Sequence, residues 1–483
     1  MSTPFFPQWS NDLNRHARKF SQLAGASLHQ LQILCGAWIP IHRLSQEDQE
    51  DFSRVRLWPF HLTFWTFLWQ VTQAGSSCRD AVRQAAALCR SQNRTVPADE
   101  TNAYCMARAK MPIERLESIH SDLLQDARDL IVEGDLWRGH RVSVVDATCF
   151  TMPDTPENQE VFPQQSVQKP GCGFPIARLL AFFCLSTGMI THWVTGNWHV
   201  QELALLPTLL ECFCLGDVLL GDRGFGNYPV LAQCLRRGIH AVFRANTAKR
   251  KIDFRQGKRL GHNDRLVQWK KGTLRSSYLT VGQWDLLPGV IEVRVVKVHA
   301  RVRGFRTQTV ILVTTLLDPV KYPPQELAKL YLRRWNMELS FRHLKCTLQM
   351  DQLSCKTPAM VEREMRMHLL AHNIVRRMSL EASRRHMVAL DRISFAGTLG
   401  VLHAYGDALL RAPTLKRRRQ MEKDMYRLIA EDPVPLRPGR REPRAVKRRP
   451  KPYPLLTCHR NNYKDIPHRG RYRRPIHPNL SCH

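Results

Sequence analysis

The amino-acid sequence predicts an α/β fold, and three observations carry this prediction. Two short runs rich in valine and leucine, 142–145 and 218–220, read as buried strands, each with an aspartate close behind it. The residues before about 135 show helical periodicity, whereas residues 246–322 hold short alternating runs separated by turn residues. The chain is 483 residues long, which is enough for roughly two to four domains and a sizeable core.

The N-terminal region, residues 1–135, is predicted to be helical. Ser76 and Ser77 can cap one helix, and Pro112 is a favourable first-turn residue for another. Four basic residues could dock a helix–turn–helix into a DNA major groove: Arg79, Arg83, Arg108 and Lys110. An ordinary helical bundle explains this pattern equally well. The segment 57–78 lacks Asp, Glu, Lys and Arg, but its polar residues favour a buried core helix over a membrane span.

Both predicted strands end at an aspartate, which is where open α/β sheets place their ligand sites. Asp146 follows the run 141–145, and Asp222 follows the run 217–221. A single aspartate at such a position is more often a turn residue or a helix cap. Two of them, together with Glu338 on a later helix, form a series of carboxylates that could bind two Mg²⁺ ions roughly 3.5–4 Å apart.

The segment 331–345 carries four polar residues at spacings of 3, 4 and 7: Tyr331, Arg334, Glu338 and Lys345. On a single helix of about 100° per residue, these side chains fall within an arc of roughly 60°. A carboxylate flanked by two cations and a phenol suits a phosphate-handling surface that also holds a metal. A solvated helix face with an intrahelical ion pair is the alternative.

These motifs resemble those of the DDE transposases of the insertion-sequence-four family. The pattern Y-x2-R-x3-E-x6-K at 331–345 is similar to the family signature. The D-A-T at Asp146 and the G-D-R-G-F at Asp222 resemble its first and second acidic motifs. The stretches M-P-D-T-P-E-N-Q and C-K-T-P are also similar, so the resemblance covers roughly residues 55–380.

The resemblance implies a ribonuclease-H-like catalytic core in which Asp146, Asp222 and Glu338 form a metal-binding triad. Its expected cofactor is a pair of Mg²⁺ ions, with Mn²⁺ as a substitute. The resemblance also implies that Tyr331 and Arg334 contact the DNA backbone near the cut end.

Lys345 is implied to share this role with Tyr331 and Arg334, and Arg223, next to Asp222, is a further candidate DNA contact. The expected partner is double-stranded DNA, both the element ends and the target, bound by a homodimer. The six motif positions show no departure from the family pattern, which favours an active enzyme.

The composition agrees with a polyanionic partner. The chain has 72 Lys+Arg against 42 Asp+Glu, a formal net charge of +30 and a pI near 10.1. Nucleic acid is the first candidate partner and an anionic membrane the second. The 14 cysteines include no C-x2-C pair, which argues against a zinc ribbon and for reduced thiols. The N-terminus shows no secretory signal pattern, so we expect a cytoplasmic, nucleoid-associated protein.

Composition and hydrophobic pattern divide the sequence into four parts. We predict a helical DNA-binding region at 1–135, a catalytic domain formed by 136–245 and 323–400, and a β-rich insertion at 246–322. Residues 401–483 are predicted to form a helical segment followed by a basic, proline-rich tail. Basic residues of the insertion could line a DNA path, or they could form a solvated face.

The tail should bind DNA without regard to sequence, because neutralising phosphates releases counterions. A basic tail with no role is the alternative. The candidate DNA-binding residues of the tail are Arg440, Arg441, Lys447, Arg448 and Arg449.

The favoured function is a transposase that binds the terminal inverted repeats of an insertion sequence, cleaves the ends and joins them to target DNA. Two alternatives remain: a catalytically inactive or domesticated DNA-binding protein derived from such an enzyme, and a plain metal-dependent nuclease.

Overall fold

The computed structural model describes residues 35, 38–45, 58–91, 93–248, 250–300, 308–410, 412, 414–434, 459 and 462. Within these residues the fold is a mixed α/β architecture, in which helices cover a nine-stranded sheet. The five candidate tail residues, Arg440, Arg441, Lys447, Arg448 and Arg449, lie outside the described residues.

Among the described residues, five α-helices precede the sheet: α1 (Ile41–Ser45), α2 (Phe60–Thr72), α3 (Cys78–Ser91), α4 (Thr101–Ala109) and α5 (Ile113–Arg128). The aromatic-rich α2 is buried along almost its whole length, as a core helix should be. In the described part of the chain, no helix is long and apolar enough to cross a membrane. Ser77 is the N-cap of α3, because its hydroxyl accepts a hydrogen bond from the backbone N–H of Asp80 at 3.2 Å.

One of the basic residues proposed for a DNA groove is part of the core. Arg108 is only 5% exposed and donates a hydrogen bond to Gln70 at 3.2 Å. Its guanidinium lies over the rings of Phe67 and Tyr104, with distances of 4.7 and 4.9 Å to the centroids. The prediction that Arg108 is available to DNA is therefore wrong, because an aromatic cage holds this cation inside the helical region.

The sheet contains nine strands: β1 (Val142–Thr151), β2 (Ile176–Cys184), β3 (Ile190–Asn197), β4 (Val218–Gly221), β5 (His240–Arg244), β6 (Lys258–Gly261), β7 (Asp264–Lys270), β8 (Val290–Ala300) and β9 (Gln308–Thr314). Their order is β3-β2-β1-β4-β5-β9-β8-β7-β6. Strands β1, β4 and β5 run parallel to one another, and every other neighbouring pair is antiparallel. The β-rich segment therefore continues the same sheet through β9.

The other described α-helices are α6 (Pro156–Val161), α7 (Glu202–Leu210), α8 (Tyr228–Arg236), α9 (Val281–Asp285), α10 (Pro324–Leu332), α11 (Trp335–Arg342), α12 (Pro358–His386), α13 (Phe395–Leu410) and α14 (Leu415–Glu431). Helix α12 packs against α2, α5, α13 and α14, so the N-terminal helices and one face of the sheet share a core. Helices α7 and α8 cover the other face, where a second core forms.

Strand β8 does not present the single polar face that its alternating sequence predicts. Arg294 points inward, is fully buried, and donates to both carboxylate oxygens of Asp264, at 2.8 and 2.5 Å. Its other terminal nitrogen donates to the carbonyl of Tyr322 at 2.7 Å. The prediction fails because the partner carboxylate lies on the neighbouring strand β7, where it can neutralise a buried cation.

Replacing Asp264 with alanine should destabilise the protein by about 3–5 kcal/mol, because it leaves the Arg294 guanidinium buried without a counter-charge. The measurement is the free energy of unfolding in urea. The control is Glu431→Ala, which breaks an exposed ion pair with Arg427 at 3.0 Å and should cost less than about 1 kcal/mol. Equal losses in the two variants would contradict the assigned role of the buried pair.

Candidate active site

Asp222 directly follows β4, as predicted, but Asp146 does not end its strand. It is the fifth of ten residues in β1 and lies opposite Ala181 of β2. The prediction that Asp146 ends a strand is therefore wrong. The hairpin with β2 extends β1 beyond the point where β4 stops, and this pairing partner is not visible in the local sequence.

The sheet register brings the two aspartates together. In the parallel pair of β1 and β4, Val144 lies beside Leu220. Two residues further on are Asp146, still within β1, and Asp222, just past the end of β4. Adjacent strands are about 4.8 Å apart, so the two carboxylates start from neighbouring backbone positions. Each also accepts a local hydrogen bond, from the N–H of Ala147 at 2.9 Å and from that of Gly224 at 2.7 Å.

Alternation along the strands sets the face on which these side chains lie. Val144 and Leu220 belong to the core shared with α10, α11 and α12, whereas Val145 belongs to the second core. Asp146 and Asp222 are therefore on the face of the sheet that α10 and α11 cover, which is where the signature residues lie.

A third parallel strand adds a cation that the sequence analysis missed. Gly221 of β4 pairs with Phe243 of β5, and the next step sets Asp222 beside Arg244, the last residue of β5. The Arg244 charge is close enough to Tyr331 to oppose the burial that raises the pKa of this phenol. A sequence signal for this residue was available. The mostly apolar run 239–243 is followed by Arg244, which predicts a third strand that ends in a charged residue.

The segment 331–345 does not form one helix, so the single-stripe prediction is wrong in its geometry. Tyr331 lies in the last turn of α10, and Arg334 is the residue before α11. Glu338 belongs to α11, whereas Lys345 lies in a π-helical turn, His343–Thr347. Between α10 and α11 the backbone of Arg333 and Arg334 keeps right-handed helical torsion angles, and only the hydrogen bonding is irregular. No proline or glycine marks this irregularity in the sequence.

Arg334 is the centre of this segment. It is 9% exposed and donates a hydrogen bond to Glu338 at 3.1 Å. Its guanidinium lies 5.9 Å from the ring centroid of Tyr331 and 5.3 Å from that of Trp335. Burial acts to lower the pKa of Arg334, but the nearby Tyr331, Glu338 and Asp146 outweigh it and raise this pKa. Arg334 thus connects the signature segment to the strand carboxylates.

Asp146 lies in an environment of concentrated negative charge. Burial raises the pKa of its carboxyl to about 6, and the charges of Asp222 and Glu202 act in the same direction. The Ala147 N–H and Arg334 act in the opposite direction without cancelling the shift. A cation at this position would relieve both the burial and the repulsion.

Glu202 is a fourth carboxylate near the pair, and the sequence analysis did not identify it. It begins α7, shortly after β3, which runs in the same direction as β1 because both are antiparallel to β2. Burial raises the pKa of Glu202, Arg178 opposes this shift, and Asp222 adds to it. A strand followed by an acid was the available signal, but the segment 198–201 separates the two.

Two further predicted residues lie at the margin of this cluster. Arg223 is exposed in the turn that follows Asp222. Lys345 is half-buried in the π-helical turn beyond α11. The structure therefore brings Asp146, Asp222, Tyr331 and Arg334 together and ties Glu338 to Arg334, while Lys345 belongs to a separate turn.

The donor set is suitable for a hard divalent cation, because it consists of carboxylate oxygens. Across the described residues, no group of three or more His, Cys, Asp or Glu side chains is spaced to hold a metal ion as it stands. Glu338 contacts Arg334 instead. Asp146 and Asp222 can supply oxygens directly, and Glu338 could join them by exchanging its guanidinium partner for a cation.

Comparison with known proteins shows what the segment that carries this site is similar to. Residues 137–374 match the family described as "Transposase DDE domain", a span that includes Asp146, Asp222 and the signature segment. The Escherichia coli (strain K12) protein "Transposase InsG for insertion sequence element IS4" is 26% identical over 322 residues, covering 66% of this chain and 70% of that protein.

A solved structure titled "Cryo-EM structure of piggyBac transposase synaptic complex with hairpin DNA (SNHP)" matches 86% of this chain and 85% of that chain. Its TM-score is 0.37 at 10% identity, a similarity too low to carry an argument about this fold. The family match supports a transposase DDE domain over residues 137–374, just under half of the chain. The match to InsG then supports the narrower class, a DDE transposase of the insertion-sequence-four type.

Proposed function

We propose that this transposase binds the terminal inverted repeats of an insertion sequence, cleaves the DNA at the ends and joins them to target DNA. The observation that carries the proposal is the row of Asp146, Asp222 and Arg244 across three parallel strands, with Arg334 against it. In this row, carboxylates that would bind a metal ion lie beside cations that would bind the oxygens of a phosphodiester.

Asp146 and Asp222, joined by Glu338, are the residues that would hold two Mg²⁺ ions. Bound Mg²⁺ supplies activation of the attacking oxygen and stabilisation of the leaving oxygen at the phosphodiester. Glu202 adds negative charge beside the same two aspartates, which strengthens the local preference for divalent cations.

The cations of the site would orient the DNA strand. The planar guanidinium group of Arg334 can donate hydrogen bonds to two phosphate oxygens. The rings of Tyr331 and Trp335 lie beside this group and hold it in place. Arg244 lies on the opposite side of Asp222 from Asp146, so the scissile phosphate would sit over the aspartates between two guanidinium groups. Lys345 and Arg223 would contact the backbone farther from the cut.

The same proposal extends to the rest of the chain. We assign a ribonuclease-H-like core to 136–245 and 323–400, which holds the order β3-β2-β1-β4-β5 with three parallel strands, and we assign 246–322 to a β-rich insertion. End recognition is assigned to 1–135, where Arg79 and Arg83 are exposed on α3. The segment 401–483 would add sequence-independent affinity through its basic tail, and a homodimer would hold the two DNA ends.

The test uses the purified full chain, Mg²⁺, and labelled duplexes made from the DNA that flanks the gene. We expect cleavage at the inverted-repeat boundary and joining of the cut end to an unlabelled plasmid. Cleavage without joining would indicate a plain metal-dependent nuclease. Specific binding of the ends without cleavage, in Mg²⁺ and in Mn²⁺, would indicate a catalytically inactive DNA-binding protein.

A further inference from the structure

A second basic site lies near the signature segment, and Val144, two residues before Asp146, is part of its wall. A partly open cavity of about 700 Å³ is lined by the β2–β3 turn, α11, the π-helical turn, α12 and the start of α13. Four arginines line it: Arg333, Arg342, Arg376 and Arg384. Asp135 and Asp391 are the acidic residues of its wall. None of the carboxylates assigned to catalysis lines this cavity.

Arg376 is the residue that makes the cavity unusual. It is 8% exposed, and its strongest described polar contact is a 3.4 Å hydrogen bond from Nη2 to the hydroxyl of Ser340. Its Nε is buried without a hydrogen-bond partner among the described residues. The ring of Phe395 lies 5.7 Å from the guanidinium carbon. Burial lowers the pKa of Arg376 to about 10, but the group still carries its charge at neutral pH.

Three other buried arginines have a carboxylate partner, whereas Arg108 is held by Gln70 and two aromatic rings. Arg294 is paired with Asp264, Arg334 with Glu338, and Arg377 with Glu381. At the wall of the cavity, Asp135 is already paired with Arg384. An isolated buried charge is costly unless a counter-charge and hydrogen bonds satisfy it, so the environment of Arg376 lacks an anion.

The groups around Arg376 do not supply this anion. His343 lines the same cavity, and burial together with the charges of Arg376 and Arg342 lowers its pKa to about 3. Its Nδ1 is also buried without a hydrogen-bond partner among the described residues. The cavity therefore combines an uncompensated cation with unsatisfied polar atoms, and its volume falls in the range of small-ligand sites.

We propose that this cavity binds a phosphate group, which Arg376 holds from inside the protein while Arg333 and Arg342 close over it from the surface. Phosphate matches the guanidinium fork with two parallel hydrogen bonds and offers further oxygens to neighbouring donors. The group could belong to a small soluble phosphate compound or to the backbone of bound DNA, and the chemistry of recognition is the same. Ser340 and His343 connect the cavity to α11, the helix that carries Glu338.

The test measures the thermal unfolding midpoint of the full chain against inorganic phosphate, at an ionic strength that screens surface charges. Wild type should show a saturable rise in the midpoint, because a ligand that binds only the folded state stabilises it. In Arg376→Met the phosphate affinity should fall at least tenfold. Without phosphate, this variant should unfold at or above the wild-type midpoint, because it removes a buried charge that has no partner.

The matched control is Arg417→Gln, which removes an exposed cation of α14 that does not line the cavity and should keep the wild-type phosphate response. Arg376→Lys keeps the charge without the fork and should bind weakly, which covers the case in which the methionine variant does not fold. Wild-type phosphate affinity in the methionine or lysine variant, or no saturable response in wild type, would overturn the proposal.

A competition experiment distinguishes the two sources of the phosphate group. If the group comes from bound DNA, a short duplex should displace phosphate from wild type, and Arg376→Met should weaken duplex binding. If it comes from a small soluble compound, phosphate and duplex should bind together without competition. Either result requires that the phosphate response depends on Arg376.

Discussion

Replacing Asp146 or Asp222 with asparagine should reduce strand cleavage by roughly 10³-fold or more, on the scale seen when a group at a reacting centre is removed. Both residues lie in one register row of the sheet, so neither can substitute for the other without moving a strand. Asparagine keeps the size and the local hydrogen bonds but removes the negative charge that a divalent cation requires. The measurement is single-turnover cleavage of a labelled element end in Mg²⁺.

Duplex affinity in these two variants should stay at or slightly above the wild-type value, because the change removes a negative charge near the DNA. The matched control is Asp217→Asn, at the opposite end of the same strand β4. Asp217 is paired with Arg141 at 3.0 Å, far along the strand from the row, and its variant should cleave at the wild-type rate. Wild-type cleavage by Asp146→Asn or Asp222→Asn would remove that residue from the catalytic site.

The aspartates could be predicted from the sequence because their surroundings are local. A short apolar run predicts a buried strand, and the residue that follows marks the edge of the sheet. This reasoning located Asp222 correctly. It placed Asp146 at the end of a strand because the pairing of β1 with β2 depends on residues about 35 positions later, which no local pattern reports.

The signature segment shows where reasoning from the local sequence fails. Its polar spacing fits one helix, and nothing in the local sequence contradicts that reading. The α-helical hydrogen bonding is interrupted at Arg333 and Arg334, where the Arg334 side chain is buried beside Tyr331 and Glu338 and near the charge of Asp146. Tertiary contacts outweigh helical propensity here, since propensity differences are only a few tenths of a kcal/mol per residue.

Buried cations were the other feature that the sequence concealed. An arginine in an amphipathic or alternating pattern is normally exposed, but Arg108 and Arg294 are buried. Their partners, Gln70 for the first and Asp264 for the second, are about 30 or more positions away in the chain. Arg376 is also buried without a carboxylate partner in the described residues, and it lines a cavity that holds unsatisfied polar atoms, which is why it indicates a ligand.

Arg334→Lys should cleave an element end at least about 10²-fold more slowly than wild type while binding the same duplex within a few-fold. Lysine keeps the positive charge but has no planar fork, so it can neither hold two phosphate oxygens nor stack on Tyr331 and Trp335 in the same way. A misplacement of about 1 Å at a reacting phosphate is enough for a loss of this size, whereas overall affinity depends on many phosphate contacts.

The competing explanation is that Arg334 only stabilises α11 through its pair with Glu338. An intrahelical pair is worth a few tenths of a kcal/mol, and Lys329→Gln, which breaks the exposed pair with Glu326 at 2.8 Å, provides the matched control. If Arg334 were structural, the two variants would lose similar stability and both would cleave normally. If Arg334 orients the strand, only Arg334→Lys should lose cleavage, and pre-nicked ends should expose the defect in the later joining step. Lys345→Ala should give a smaller loss of the same kind, because Lys345 lies one turn beyond the helix that positions Glu338.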